Sequence, residues 1–275
     1  MENREVNIPQ ADKLVGIPKE WMHNLDRFEE TMEKAYQTQG TEKIEGLELE
    51  KGEKEIEIIH FVNESILEYL RQYGREIEVD SSFDKIHILK EGGTEEYTKG
   101  KLRMGAHSTK LGSILVDRGL SNVQFANILF HEQMHNNSYK ALQITKEEKP
   151  KLEQYRAGIS VTSRDGKVIY FEDFEEAIIQ LLTEKFYNNE VLNSQIFQEE
   201  LAKEVEPPYF SRAEESEKLN NTIEDVWLNN QEDFESRKDV EDVFIDAQIN
   251  GRLLPLARLI EKTYGKGSFR KLGEK

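Results

Sequence analysis

His131-Glu132-Gln133-Met134-His135 constrains this chain more than any other stretch, because its spacing makes chemical sense only on a helix. Residues four apart on an α-helix lie one above the other, so His131 and His135 can turn two imidazoles towards one metal ion. Glu132 falls about 100° round the helix, where it reaches a water on that metal without binding the metal itself. Zinc held in this way lowers the pKa of its water towards about 7, and a carboxylate can then take the proton. The pattern predicts metal-assisted hydrolysis, most often of a peptide bond. Six histidines among 275 residues make an accidental match rare, at roughly 0.025 occurrences per chain.

The surroundings favour a helix. Ser113–Asp117 is rich in β-branched and apolar residues and predicts a strand, and Arg118-Gly119-Leu120 predicts a turn. Ser121 and Gln124 have the spacing of a capping box for the helix that follows. Measured from His131, the residues Val123, Ala126, Phe130 and Met134 cluster at about 220–300°, whereas the two histidines fall near 0° and 40°. One face packs and its neighbour presents ligands. The bland alternative is a core helix with two hydrogen-bonded histidines.

Hydrolysis on zinc needs a third protein ligand and one open position. The glycine and histidine of the metzincin spacing are absent, since Ser138 and Ala141 stand there, and the chain has no cysteine to act as a ligand. A carboxylate on a second helix remains, and Phe174–Glu184 supplies that helix. Measured from Glu176, its apolar residues Phe174, Ala177, Ile178, Ile179, Leu181, Leu182 and Phe186 span about 100–300°. Glu176 can therefore face the histidines while the rest is buried. Glu172, Asp173 and Glu175 are alternative ligands; Glu175 projects into the apolar sector. Gln180, one turn beyond Glu176, is placed to accept a hydrogen bond from a ligand imidazole.

The pairing of His131-Glu132-Gln133-Met134-His135 with a downstream Glu-Glu-Ala-Ile-Ile-Gln-Leu-Leu-Thr helix resembles the gluzincin branch of zincin-like metallopeptidases. It is closest in style to bacterial members with a segment of the Asn-Glu-Ala-x-Thr-Glu type, over roughly residues 105–187. The resemblance implies Zn²⁺ bound by His131, His135 and Glu176, with Glu132 as the general base. It places Gln180 where the family keeps an acid that orients a ligand histidine. Glu175 stands for the usual Asn, Ile179 for Thr and Gln180 for the acid. A neutral amide polarises an imidazole less than a carboxylate does, so a zincin-fold binding protein with weak or no turnover is the alternative.

A peptidase also needs a donor for the oxyanion that develops as water attacks the carbonyl. Tyr139, Tyr155, Arg156 and Tyr209 are the candidates, and none is singled out. Arg156–Thr162 and Lys167–Phe171 alternate like strands around Ser163-Arg164-Asp165-Gly166, an Asp-Gly hairpin signal.

Elsewhere, Ile17–Gln37 predicts an amphipathic helix, Thr38–Glu53 a linker, and Glu55–Tyr73 a second helix with Ile58, Ile59, Val62, Ile66, Tyr69 and Leu70 buried. Lys85–Leu89 predicts a strand and Glu91–Gly100 a loop. The strand before the metal helix is expected to offer an edge to an extended peptide. His107 lies near that edge and is read as a loop or strand residue, because as a fourth ligand it would close the metal's open position. Helices are expected near Arg212–Asn229, Asp239–Ile249 and Leu253–Tyr264, with a break at Pro207-Pro208 and a tail from Gly265. The expected class is α+β: a zincin-like domain with a small mixed sheet, the metal helix and a helical C-terminal part. Residues 1–50 form an N-terminal helical extension and linker, and residues 51–275 the catalytic domain.

A net charge of −17 disfavours nucleic acid and anionic membranes as partners. Peptide or protein substrates remain. The absence of cysteine, of a signal-like apolar run and of any stretch of 18 apolar residues fits a cytoplasmic protein.

Overall fold

The computed structural model describes residues 12–15, 44, 46–76, 83–102, 104–108, 113–144, 152–203 and 213–274. The fold is mixed α+β, with two small sheets and helices on both sides of the His131–His135 helix in sequence. The helix expected over Ile17–Gln37 and the Pro207-Pro208 break lie outside the described residues, as does Tyr209.

The first sheet runs β2 (Glu48–Leu49), β3 (Ile86–Leu89), β5 (Ser113–Asp117), β4 (Gly105–Ser108). Strands β3 and β5 are parallel, and the outer two are antiparallel to their neighbours. The sheet is therefore mixed, as expected. Every residue of β5 is buried, because it lies between two strands and is covered on both faces. Ile114 and Val116 join the main core, while Leu115 packs with Ile44, Leu47, Leu89 and Ala106 on the opposite face. The strand before the metal helix is thus interior, and the outer position belongs to β4, which carries His107. The residues expected to be a linker instead hold β2 and bury Ile44 and Leu47.

The second sheet runs β1 (Lys13–Val15), β6 (Lys140–Ile144), β7 (Leu152–Ala157), β8 (Ser160–Thr162), β9 (Ile169–Tyr170). The strand expected over Arg156–Thr162 is broken at Gly158, whose φ of +52° turns β7 back into β8. The alternation continues across that turn, which is why sequence periodicity ran the two together. The Ser163–Gly166 turn forms as expected and links β8 to β9.

Helix α1 (Glu53–Gln72) buries the six expected residues. Helix α2 (Gly93–Thr98) replaces the expected loop and is held by Asp117, which accepts from the backbone N–H of Thr94 at 2.7 Å and its hydroxyl at 2.6 Å. Helix α3 (Asn122–Asn137) carries His131, Glu132 and His135, and α4 (Glu172–Phe186) is the glutamate helix, with Glu175 and Glu176. A short helix α5 (Gln198–Leu201) follows, then α6 (Ala213–Asn229), α7 (Arg237–Asn250) and α8 (Leu253–Tyr264), near their expected bounds. The expected tail forms a further helix, α9 (Ser268–Gly273). No described helix is long and apolar enough to cross a membrane.

Helices α1, α3, α4 and α6 to α8 share one core. Phe130 on α3 stacks on Phe186 of α4 with centroids 4.2 Å apart and planes 6° from parallel. Tyr69 of α1 meets Phe130 edge-on at 5.4 Å. This aromatic pile fixes the crossing of α3 over α4, and the candidate site lies next to it.

Candidate metal centre

Helix α3 starts with all four exposed amides satisfied. Glu200 of α5 accepts from the N–H groups of Asn122 and Val123, each at 3.1 Å. Ser121 Oγ accepts from the Gln124 N–H at 3.2 Å, and the Ser121 N–H donates to Gln124 Oε1 at 3.3 Å. The capping box is as expected; the Glu200 clamp, 78 residues away from Asn122, is not visible locally. Such complete capping removes the usual fraying of a helix start. Gln133 donates to Asn63 Oδ1 at 2.7 Å and so ties α3 to α1.

Helix α4 starts at Phe171, which holds a left-handed φ of +63°. That conformation costs a bulky residue on the order of 1–3 kcal/mol. Packing offsets it: the Phe171 ring lies 4.5 Å from that of Phe269, and its N–H donates to Gly273 O at 2.9 Å. A Cβ on Gly273 would stand 2.4 Å from the ring, so glycine is needed there. Helix α9 thereby clamps the start of the glutamate helix.

The two helices bring His131, His135 and Glu176 together. Nε2 of His131 stands 3.1 Å from Nε2 of His135, and Oε2 of Glu176 lies 3.7 Å and 3.8 Å from them. Among the described residues this is the one group of three or more His, Asp or Glu side chains that could hold a metal. Glu172 and Asp173 are not part of it.

The outer ring nitrogens determine what the inner ones are. His135 Nδ1 is 2.8 Å from Glu175 Oε1; an ionised carboxylate only accepts, so Nδ1 carries the proton. Thr183 Oγ1 lies 3.4 Å from His131 Nδ1 and spends its own proton on Ile179 O at 2.8 Å. It too can only accept from the ring. With neutral rings, both Nε2 lone pairs and a carboxylate oxygen converge on one point. Such a group could hold a cation. In a tetrahedral zinc site with bonds of about 2.0–2.1 Å the donors stand roughly 3.3 Å apart, and the donor set present is close to that. Without a metal the proton takes this place: burial disfavours the charged ring of His135, yet Glu175 and Glu176 overcome it and push its pKa up to about 10.

Glu132 lies beside this group and outside it. Burial works to raise its pKa, but the His107 ring and the charges of His131 and His135 hold it below the usual carboxylate value. It is therefore an ionised base. His107 Nδ1 is 3.6 Å from Glu132 Oε2, and its ring stacks on that of His135 at 5.0 Å and 9°. Burial pushes the His107 pKa down. His107, expected as an ordinary loop or strand residue, thus lies at the centre; strand alternation is the signal that points to it. Gly105 and His107 share a face of β4, and a Cβ on Gly105 would come within 2.3 Å of Ile128 and 3.4 Å of Glu132.

Three further expectations need correction. Gln180 does not orient a ligand ring but donates to Glu184 at 3.3 Å, so the service expected of it is divided between Glu175 and Thr183. Glu175, an alternative ligand by sequence, is buried against the far side of His135. Thr183 lies on the polar stripe expected for Glu172, Glu176 and Gln180; what helix phase alone does not show is that its hydroxyl meets His131. Among the oxyanion candidates, Tyr139 and Arg156 face each other, with the guanidinium 4.4 Å from the ring centroid, and Tyr139 packs on Gly251.

The chain matches no protein-family model, no curated protein and no solved structure. The site stands on its own geometry.

Proposed function

We propose that this chain is a zinc-dependent metallopeptidase of gluzincin type with a zincin-like fold. His131, His135 and Glu176 would hold the metal, and Glu132 is the general base. One observation carries the reading: three acceptors, two imidazoles and the Glu176 carboxylate, converge while a second carboxylate, Glu132, stands beside them and outside the donor group. A structural zinc site has its four positions filled by protein, whereas three donors and an adjacent free base are what hydrolysis needs.

When bound, zinc would supply a Lewis acid that brings the pKa of water near 7 and polarises the scissile carbonyl. The remaining work belongs to the side chains. Glu132 takes the proton of the attacking water and later delivers it to the leaving amine. Glu175 and Thr183 hold the protons of His135 and His131 on Nδ1, which leaves both Nε2 atoms free to ligate. Strand β4, one of the two outer strands of the first sheet among the described residues, gives an extended peptide a strand to pair with, and His107 lies on it beside the base.

The substrate in this reading is a peptide or protein, and the absence of cysteine fits work in a reducing, cytoplasmic compartment. The alternative of an inactive binding protein rested on Gln180. The Glu175 carboxylate supplies what that amide lacks and favours turnover. Glu132→Gln tests the proposal: the variant should keep its zinc and lose at least 10²-fold of its cleavage of a mixed peptide library. Full activity in that variant would refute the mechanism.

A further inference from the structure

The side chain of Gln248, on α7 and far from the metal helix in sequence, is fully buried behind the candidate centre. Its Nε2 donates to Glu175 Oε1 at 3.2 Å and to Ser138 Oγ at 3.1 Å. Its Oε1 accepts from the Ile159 N–H at 3.0 Å. The surrounding groups fix the orientation of the amide. Ser138 spends its proton on Met134 O at 2.7 Å, so it can only accept from Gln248, and Glu175 is also an acceptor. Reversing the amide would set oxygen against a carboxylate and nitrogen against an N–H. The slot is closed by Gly158, where a Cβ would stand 2.0 Å from Gln248 Oε1.

Glu175 Oε1 therefore receives two hydrogen bonds, one from His135 and one from Gln248. We infer that Gln248 is a positioning residue for the metal centre, setting the affinity for zinc through Glu175 and His135; the inference rests on the zinc reading proposed above. A carboxylate held by a single donor is free to rotate. That rotation loosens the His135 ring and misaligns the lone pair it offers. Because Gln248 also anchors the end of α3 at Ser138 and the turn at Ile159, the C-terminal helices control how well the centre is formed. Residues of this kind behind a metal ligand commonly change affinity by 10–100-fold.

The test is zinc affinity, measured on the full chain by competition with a chelating dye, for Gln248→Met alone and in a Glu175→Ala background. Gln248→Met keeps the length and bulk of the side chain and removes the amide. In the otherwise wild-type chain it should weaken zinc binding on the order of tenfold; in the Glu175→Ala background the same change should have little further effect. Equal weakening in both backgrounds would show a general structural role and overturn the inference. So would an affinity unchanged by Gln248→Met in a chain that binds zinc. If Gln248→Met does not fold, Gln248→Asn, which withdraws the amide by one methylene, carries the same expectations. A wild-type chain that binds no zinc would overturn the metal reading itself, a different result from either of these.

Discussion

Glu175 Oε1 stands 2.8 Å from His135 Nδ1, and the next residue in the chain, Glu176, faces the opposite nitrogen of the same ring at 3.8 Å. Two adjacent glutamates thus meet one histidine from two sides, in two chemical roles. Replacing Glu175 with Ala should weaken zinc binding by about 10–100-fold while leaving the stoichiometry intact at saturating metal. Replacing Glu176 should remove the metal. Equilibrium dialysis of both variants separates the roles, and similar behaviour in the two would contradict the assignment.

The metal-free chain should lose stability as pH rises from 7 to 9. The His135 pKa is pushed up to about 10 against an ordinary value near 6.5. A raised folded-state pKa contributes stability that is full below the ordinary value and lost as pH climbs through the raised one. Thermal melting in chelator should therefore give a lower midpoint at pH 9 than at pH 7, and the difference should shrink in His135→Gln. Melting with the same pH dependence in both proteins would contradict the assignment of that shift to His135.

Gly105→Ala should cost stability and function together. The new methyl would meet Ile128 at 2.3 Å and crowd Glu132, forcing β4 away from α3 at about 1–3 kcal/mol. Denaturant unfolding measures the first effect. Peptide cleavage should fall more steeply than zinc affinity, because the base is displaced and the ligands are not.

Phe130→Ala removes the ring between Tyr69 and Phe186 and should destabilise the chain by about 3–5 kcal/mol. Urea denaturation checks this. A loss under 1 kcal/mol would mean that the aromatic pile does not fix the α3–α4 crossing.

Much of the candidate site was legible because its residues repeat at helical spacing. His131, Glu132 and His135 share one helix, and the capping box before it is local chemistry. Glu176 followed from the phase of a second helix. The misses have a common cause. Glu200 reaches the start of α3, and His107 and Gln248 reach the site, from other elements across gaps that helix periodicity does not span. Gln180 was misjudged because the sequence did not show that Glu184 would engage its amide. In the fold, the helices of the C-terminal part came out near their bounds because each buries a regular apolar stripe. The β7–β8 turn was missed because Gly158 needs no special neighbour to take a positive φ. Helix α2 owes its place to the buried side chain of Asp117, which an isolated Gly-Gly pair does not announce.

The most direct test of the account is elemental analysis of the purified chain beside its Glu176→Ala variant. The account predicts one zinc per chain in the wild type and little or none in the variant. Zinc retained in the variant would contradict the ligand set, and a wild-type chain that takes up no metal when zinc is supplied would contradict the account as a whole.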